Sequence, residues 1–300
     1  AAGNVSSASD SLTITTDTTA PAAPSVPDLA ADSDTGTSNS DNLTSDTTPT
    51  FTGTAEASST VELFAGSSSL GTTTADSSGN WSFTVDSSDA FTDGSHSITV
   101  TATDAAGNVS SASDSLTITT DTSAPAAPSV PDLAADSDKG TSNSDNLTSD
   151  TTPTFTGTAE ASSTVELFAG SSSLGTTTAD SSGNWSFTVD SSSALLNGSH
   201  AITAKAMDVA GNVSSASDGL TITIDTAAPA TPSKPDLDAS SDTGRSNSDN
   251  ITSITTPTFT GTADADSTIE LFAGSSSLGT TTADSLSLIH ISEPTRRCYI

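Results

Sequence analysis

Residues 104–125 read D-A-A-G-N-V-S-S-A-S-D-S-L-T-I-T-T-D-T-S-A-P, and this stretch, from Asp104 to Pro125, decides the fold. An Asp/Gly turn runs into a strand in which Leu116 and Ile118 alternate with threonines, and Asp-Thr-Ser-Ala-Pro then opens a new unit. The run recurs, lightly edited, at residues 208–229, and residues 1–16 repeat residues 105–120 letter for letter. The junction aspartates Asp17, Asp121 and Asp225 stand 104 residues apart. A fixed period of that size is an array of whole domains. The chain therefore divides into the last strand of a preceding unit (1–16), two full units (17–120 and 121–224), a truncated third (225–285) and a tail (286–300) that breaks the pattern.

A unit of this length is a common size for one domain and can bury a core. Leu, Ile, Val and Phe make up only about 17% of the residues, a level that with high net charge usually accompanies disorder. The spacing argues for folding. Val61, Leu63 and Ala65 alternate with Glu62 and Phe64. Trp81, Phe83 and Val85 alternate with Ser82 and Thr84, and Ile98, Val100 and Ala102 with threonines. Strands are predicted over 50–54, 59–65, 70–75, 81–85, about 98–103 and 116–120. Pro21, Pro24 and Pro27 mark a stiff linker passing into an edge strand, and residues 28–46, rich in Asp, Ser, Asn and Gly, read as a long loop. About seven short strands without helical periodicity predict an all-β chain of tandem immunoglobulin-like antiparallel β-sandwiches, with Trp81 as the large core residue and no disulfide.

The formal charge of −31 excludes nucleic acid as a partner, since phosphates would be repelled, and suits cations. The full units hold no cysteine, which removes both a disulfide framework and thiol chemistry. No apolar run is long enough to span a bilayer, so no membrane insertion is expected of this segment. His96 and His200 have no partner signature and read as surface residues, and no Ser or Thr sits in a nucleophile-elbow context. No enzyme is expected.

The carboxylates are gathered by the predicted topology. In such a sandwich the N-terminus, the loop between the second and third strands and the last hairpin loop share one pole. Those places hold Asp17, Glu56, Asp104 and Asn108 in the first unit, and Asp121, Glu160, Asp208 and Asn212 in the second. Unpaired carboxylates that converge repel one another, and a hard cation such as Ca²⁺, which takes six to eight oxygens, would resolve the conflict. At the opposite pole a D-x-D-x-G loop carries Asp32, Asp34 and Asp41, repeated as Asp136, Asp138 and Asp145. It begins like a calcium loop but lacks the bidentate Glu spacing of an EF-hand. Head-to-tail stacking would bring both clusters to the junction at Asp121. Asp, Ser, Asn and Gly also make good turns with no metal involved.

The motifs D-T-x-A-P (17–21), T-P-T-F-T-G-T-A-E (48–56), A-D-x-x-G-N-W-S-F (75–83) and D-x-A-G-N-V-S (104–110) together resemble bacterial immunoglobulin-like repeats. These build the extender regions of large secreted adhesins of RTX and biofilm type. The resemblance implies a secreted or cell-surface stalk whose partners are its own neighbouring repeats, stiffened by Ca²⁺ at the junctions. By position that role falls to Asp121, Glu160, Asp208 and Asn212 and their first-unit counterparts. The third unit departs from the pattern, with Ser240 for Asp32, Ile254 for Asp46 and Asp264 for Glu56. A second reading is a glycan- or protein-binding accessory module of a secreted polysaccharide-degrading enzyme, for which Phe64 and Phe168 are the outward-facing aromatics. The tail Leu286-Ser-Leu-Ile-His-Ile-Ser-Glu-Pro-Thr-Arg296 resembles an in-frame translation of the transposon-end adapter used in sequencing libraries, so 286–300 reads as a non-native segment.

Overall fold

The structure, a computed structural model, describes residues 3–140, 142–285 and 287–292. The chain forms two compact units, residues 1–225 and 226–300. In the first repeat, β1 (Asp28–Leu29), β2 (Leu43–Thr44), β3 (Thr50–Thr54), β4 (Thr60–Ala65), β5 (Ser68–Thr74), β6 (Asn80–Thr84), β7 (Gly94–Thr103) and β8 (Leu116–Thr120) build two sheets. One runs β1-β3-β6 and the other β2-β8-β7-β4-β5. All pairings are antiparallel except β2 with β8, which is parallel. The second repeat copies this with β9 (Asp132–Leu133), β10 (Leu147–Thr148), β11 (Thr154–Thr158), β12 (Thr164–Ala169), β13 (Ser172–Thr178), β14 (Asn184–Thr188), β15 (Gly198–Met207) and β16 (Leu220–Ile224).

The period-two pattern explains the core. Val61 and Leu63 of β4, Ile98 and Val100 of β7 and Ile118 of β8 are fully buried, and Phe51 of β3 meets them from the facing sheet. Trp81 lies opposite Gly53 in register, and a Cβ on Gly53 would fall 2.5 Å from the Trp81 ring. The residue must be glycine because the indole occupies its side-chain space. The segment expected to be one long loop instead contains β1 and β2. Each is two residues long, too short for any alternation to show, and exists because β3 and β8 offer free ladder positions.

A further feature lies in N-V-S-S-A-S-D. Residues 109–114 form no strand, yet they cover the half of β7 that β8 does not reach. Ser110 N donates to Ala102 O and Ser113 N to Val100 O, both at 2.8 Å. The hydroxyls complete the ladder, since Ala102 N donates to Ser110 Oγ at 2.9 Å and Val100 N to Ser113 Oγ at 3.1 Å. Ser214 and Ser217 repeat both bonds in the second copy. Truncating Ser113 would orphan a buried amide, which costs about 1–3 kcal/mol. Ser113→Ala is therefore expected to lower first-repeat stability by that amount in urea denaturation followed at Trp81; no change would show that water replaces the hydroxyl.

The second compact unit holds β17 (Asp236–Leu237), β18 (Thr258–Thr262), β19 (Thr268–Ala273), β20 (Ser276–Thr282) and β21 (Leu288–Ser292). Strand β21 lies in the part of the chain read as non-native. It pairs with β18, placing Ile289 opposite Gly261 where the other repeats place tryptophan. No counterparts of β7 and β8 occur among the described residues, so Phe259, Ile269 and Leu271 stay half-buried and Phe272 is 55% exposed. Residue 286 and residues 293–300 of the adapter-like tail lie outside the described residues.

Candidate functional site

The junction between the two full repeats is built on Asp121. Its N–H donates to Thr44 O of the first repeat at 2.9 Å, and its carbonyl accepts from Asn212 Nδ2 of the second at 2.8 Å. The next two residues are clamped from the first repeat: Thr122 donates through N and Oγ1 to Asp93 Oδ1, and Ser123 Oγ to Asp93 Oδ2. These bonds favour the charged form and hold the Asp93 carboxyl below its usual range.

Of the second-unit cap set, the structure brings together Asp208, Asn212 and the backbone of Asp121. The Asp208 carboxylate, nearly buried, accepts from Asn212 N and Nδ2 at 2.8 and 2.9 Å. The Asp121 side chain instead accepts from Ser123 N. The Glu160 side chain is exposed, and its residue contributes only a backbone carbonyl, which accepts from Ser163. The first repeat matches this arrangement. Asp104 accepts from Asn108 through side chain and backbone, bonds that lower its pKa. Asn108 Nδ2 reaches Asp17 O at 3.2 Å, the Asp17 carboxylate accepts from Thr19 N, and Glu56 is exposed. The oxygens expected to converge on a cation are largely occupied by the chain's own amides.

The D-x-D-x-G loop packs directly on that cap. Thr35 Oγ1 donates to Ala210 O at 2.8 Å, and Thr37 N to Val209 O at 3.1 Å. Between them Gly36, at φ +102°, lies against Gly211; a Cβ on Gly36 would stand 2.0 Å from Val209 O. Thr35 also accepts from Ser45 N, which ties the contact to its own repeat. This latch was not legible in the sequence, because Thr-Gly reads as an ordinary turn until its partner loop is known.

Behind the latch, Asp34 is 3% exposed. Its Oδ2 accepts from Asn42 N, while Oδ1 is buried without a partner, and so are Asp138 Oδ1 and Asp242 Oδ1 in the other copies. Burial, opposed by the amides of Asn42 and Asp41 but reinforced by the charges of Asp41 and Asp28, raises the Asp34 pKa. Asp32, Asp41, Asp136 and Asp145 are exposed on the loop surface, with Asp41 and Asp145 each accepting a backbone amide two residues on. Among the described residues no three acidic, His or Cys side chains are gathered into a group that could hold a metal ion as it stands. No helix among them is long and apolar enough to cross a membrane.

A family model described as bacterial Ig-like domain matches residues 19–122, 124–226 and 229–295. No curated protein matches the chain. Among solved structures, a Ca²⁺-stabilized adhesin with which an Antarctic bacterium binds ice is 25% identical over 91% of this chain and 66% of that one, with a TM-score of 0.41. A 1.5-MDa bacterial ice-binding adhesin is 22% identical over 90% of this chain and 87% of the other, at a TM-score of 0.35. A tetra-tandem repeat from the extending region of a large adhesion protein is 21% identical, over 90% of this chain and 66% of that one, at 0.27. The chain thus spans just under two thirds of the first and third of these.

Proposed function

Since this chain belongs to the bacterial Ig-like domain family, we propose that it is the extender, or stalk, region of a secreted or cell-surface bacterial adhesin, working in cell adhesion and biofilm formation. Its task is mechanical: each repeat is a spacer whose orientation is handed to the next. The observation that carries this reading is the junction, where Asp121 bonds both repeats and the Thr35–Thr37 latch seats on Ala210 and Val209. A flexible tether needs no such contacts. The glycan-binding alternative has less to work with, since Trp81 and Trp185 are buried and Phe64 and Phe168 are only partly exposed.

Calcium would stiffen the stalk. The donor chemistry fits best in the D-x-D-x-G loops, where Asp34, Asp138 and Asp242 each bury an unpartnered carboxylate oxygen. Asp41 and Asp145, with Asp32 and Asp136, would complete the set together with backbone and hydroxyl oxygens. Asp208 and Asn212 bond each other instead and so shape the turn whose Val209 and Ala210 carbonyls the loop grips, and Asp104 and Asn108 make the same bonds in the first repeat. When bound, the cation would neutralise the loop carboxylates and hold the latch in its docked form.

Small-angle scattering on residues 1–225 tests this. Chelation is expected to broaden the distance distribution and added calcium, not magnesium, to restore it, with each repeat still folded. An identical profile in both buffers would leave a spacer that needs no metal.

A further inference from the structure

The two full repeats differ at thirteen positions, and two of those changes introduce lysine: Thr35 becomes Lys139 and Thr101 becomes Lys205. The first repeat contains no Lys or Arg at all. Lys139 meets a carboxylate already present, whereas the Lys205 ammonium lies over the Phe168 ring. Lys205 sits opposite Glu166 in register on β15 and β12. Lys139 Nζ lies 3.4 Å from Asp150 Oδ2, whose side chain is only 15% exposed. Although burial opposes it, the Thr152 amide and the Lys139 charge together lower the Asp150 pKa. In the first repeat the matching Asp46 has no ammonium within the loop, only Thr48.

Resting on the reading that these loops take a cation, we propose that the divalent-cation requirement belongs to the first repeat's loop, and that Lys139 makes the second loop self-neutralised. In both, a buried aspartate with an unpartnered oxygen sits among acidic neighbours on the same backbone frame. In the first, Asp34 is 3% exposed with Oδ1 unpartnered, its loop neighbours Asp32 and Asp41 are acidic, and the repeat holds no Lys or Arg. No cationic side chain of that repeat is there to offset their charge, and a divalent ion would. In the second, a resident ammonium sits one residue from Asp138 and is paired within the same loop. A divalent ion entering there meets a like charge and finds Asp150 already engaged, so its gain is smaller. The substitution also removes the hydroxyl that, in the first repeat, donates to Ala210 O. One change thus alters both the charge of the loop and its means of gripping a neighbour. The third loop takes another course, losing Asp32 and Asp46 equivalents (Ser240, Ile254) and gaining Arg245.

The test is calorimetric titration of the 300-residue chain with calcium chloride. Asp34→Asn is expected to weaken the tightest binding event at least tenfold, and Asp138→Asn to leave it within about twofold. Lys139→Thr, which restores a residue the first repeat already carries on the same frame, is expected to add a second event of comparable affinity. The proposal is overturned if Asp138→Asn costs as much as Asp34→Asn, or if Lys139→Thr titrates like the parent. Equal binding by both loops would sink only this assignment, whereas a parent chain that takes up no calcium would remove the calcium reading beneath it. Trp81 fluorescence reports whether Asp34→Asn remains folded, and Lys139→Thr decides the matter independently.

Discussion

Phe155→Ala should unfold the second repeat while the first stays folded. Phe155 is fully buried on β11, paired in register with Leu133 of β9 and Phe187 of β14. Its ring fills the space between the two sheets among Val165, Leu167 and Ile222. Truncating a buried phenylalanine costs about 3–5 kcal/mol, against a total of about 5–15 kcal/mol for a typical domain. Cores this short of large side chains have little to fall back on. Each full repeat carries one of the chain's two tryptophans, so equilibrium denaturation reads them separately. With Trp81→Phe silencing the first repeat, the Trp185 transition should move to much lower denaturant. A shift worth under about 1 kcal/mol would mean that the sheets close over the gap.

Gly36→Ala should cut the junction without touching either core. The residue combines a left-handed backbone with contact on a neighbouring carbonyl, and an added Cβ would lie 2.0 Å from Val209 O, 2.8 Å from Ala210 C and 2.9 Å from Val209 C. All three are backbone atoms, so no rotamer change can relieve the overlap and the loops must part. The expected result is a broadened scattering profile for residues 1–225 that calcium no longer narrows, with unfolding midpoints of both repeats nearly unchanged. Gly140→Ala is the internal control. A Cβ there meets its nearest atom, Leu147 O, at 3.6 Å, an ordinary contact. If Gly36→Ala left the profile as compact as the parent's, the latch would not be what orients the repeats.

The strand frame was legible because alternation survives in a sequence poor in apolar residues. Val61 and Leu63, Ile98 and Val100, and Ile118 each point where period two sends them. Less legible was anything made by short or polar segments. Strands β1 and β2 carry no pattern of their own, and Ser110 and Ser113 look like loop serines until their hydroxyls are found on β7. The acidic sites divide in the same way. Topology brings Asp208 and Asn212 to the Asp121 backbone, but whether an acidic side chain turns inward depends on local hydrogen bonds. Glu160 turns out to solvent, Asp208 is taken up by Asn212, and Asp34 turns in while Asp32 and Asp41 of the same loop stay exposed.

Those serine hydroxyls also bear on how a long run of such units avoids tangling during synthesis. Neighbours that differ at thirteen positions are nearly interchangeable partners, and unpaired backbone on one nascent unit can recruit a segment meant for another. By satisfying Val100 and Ala102 from a segment only about ten residues downstream, Ser110 and Ser113 close that stretch early and locally. The repetition that lets a stalk grow by copying would otherwise invite each copy to borrow from the next.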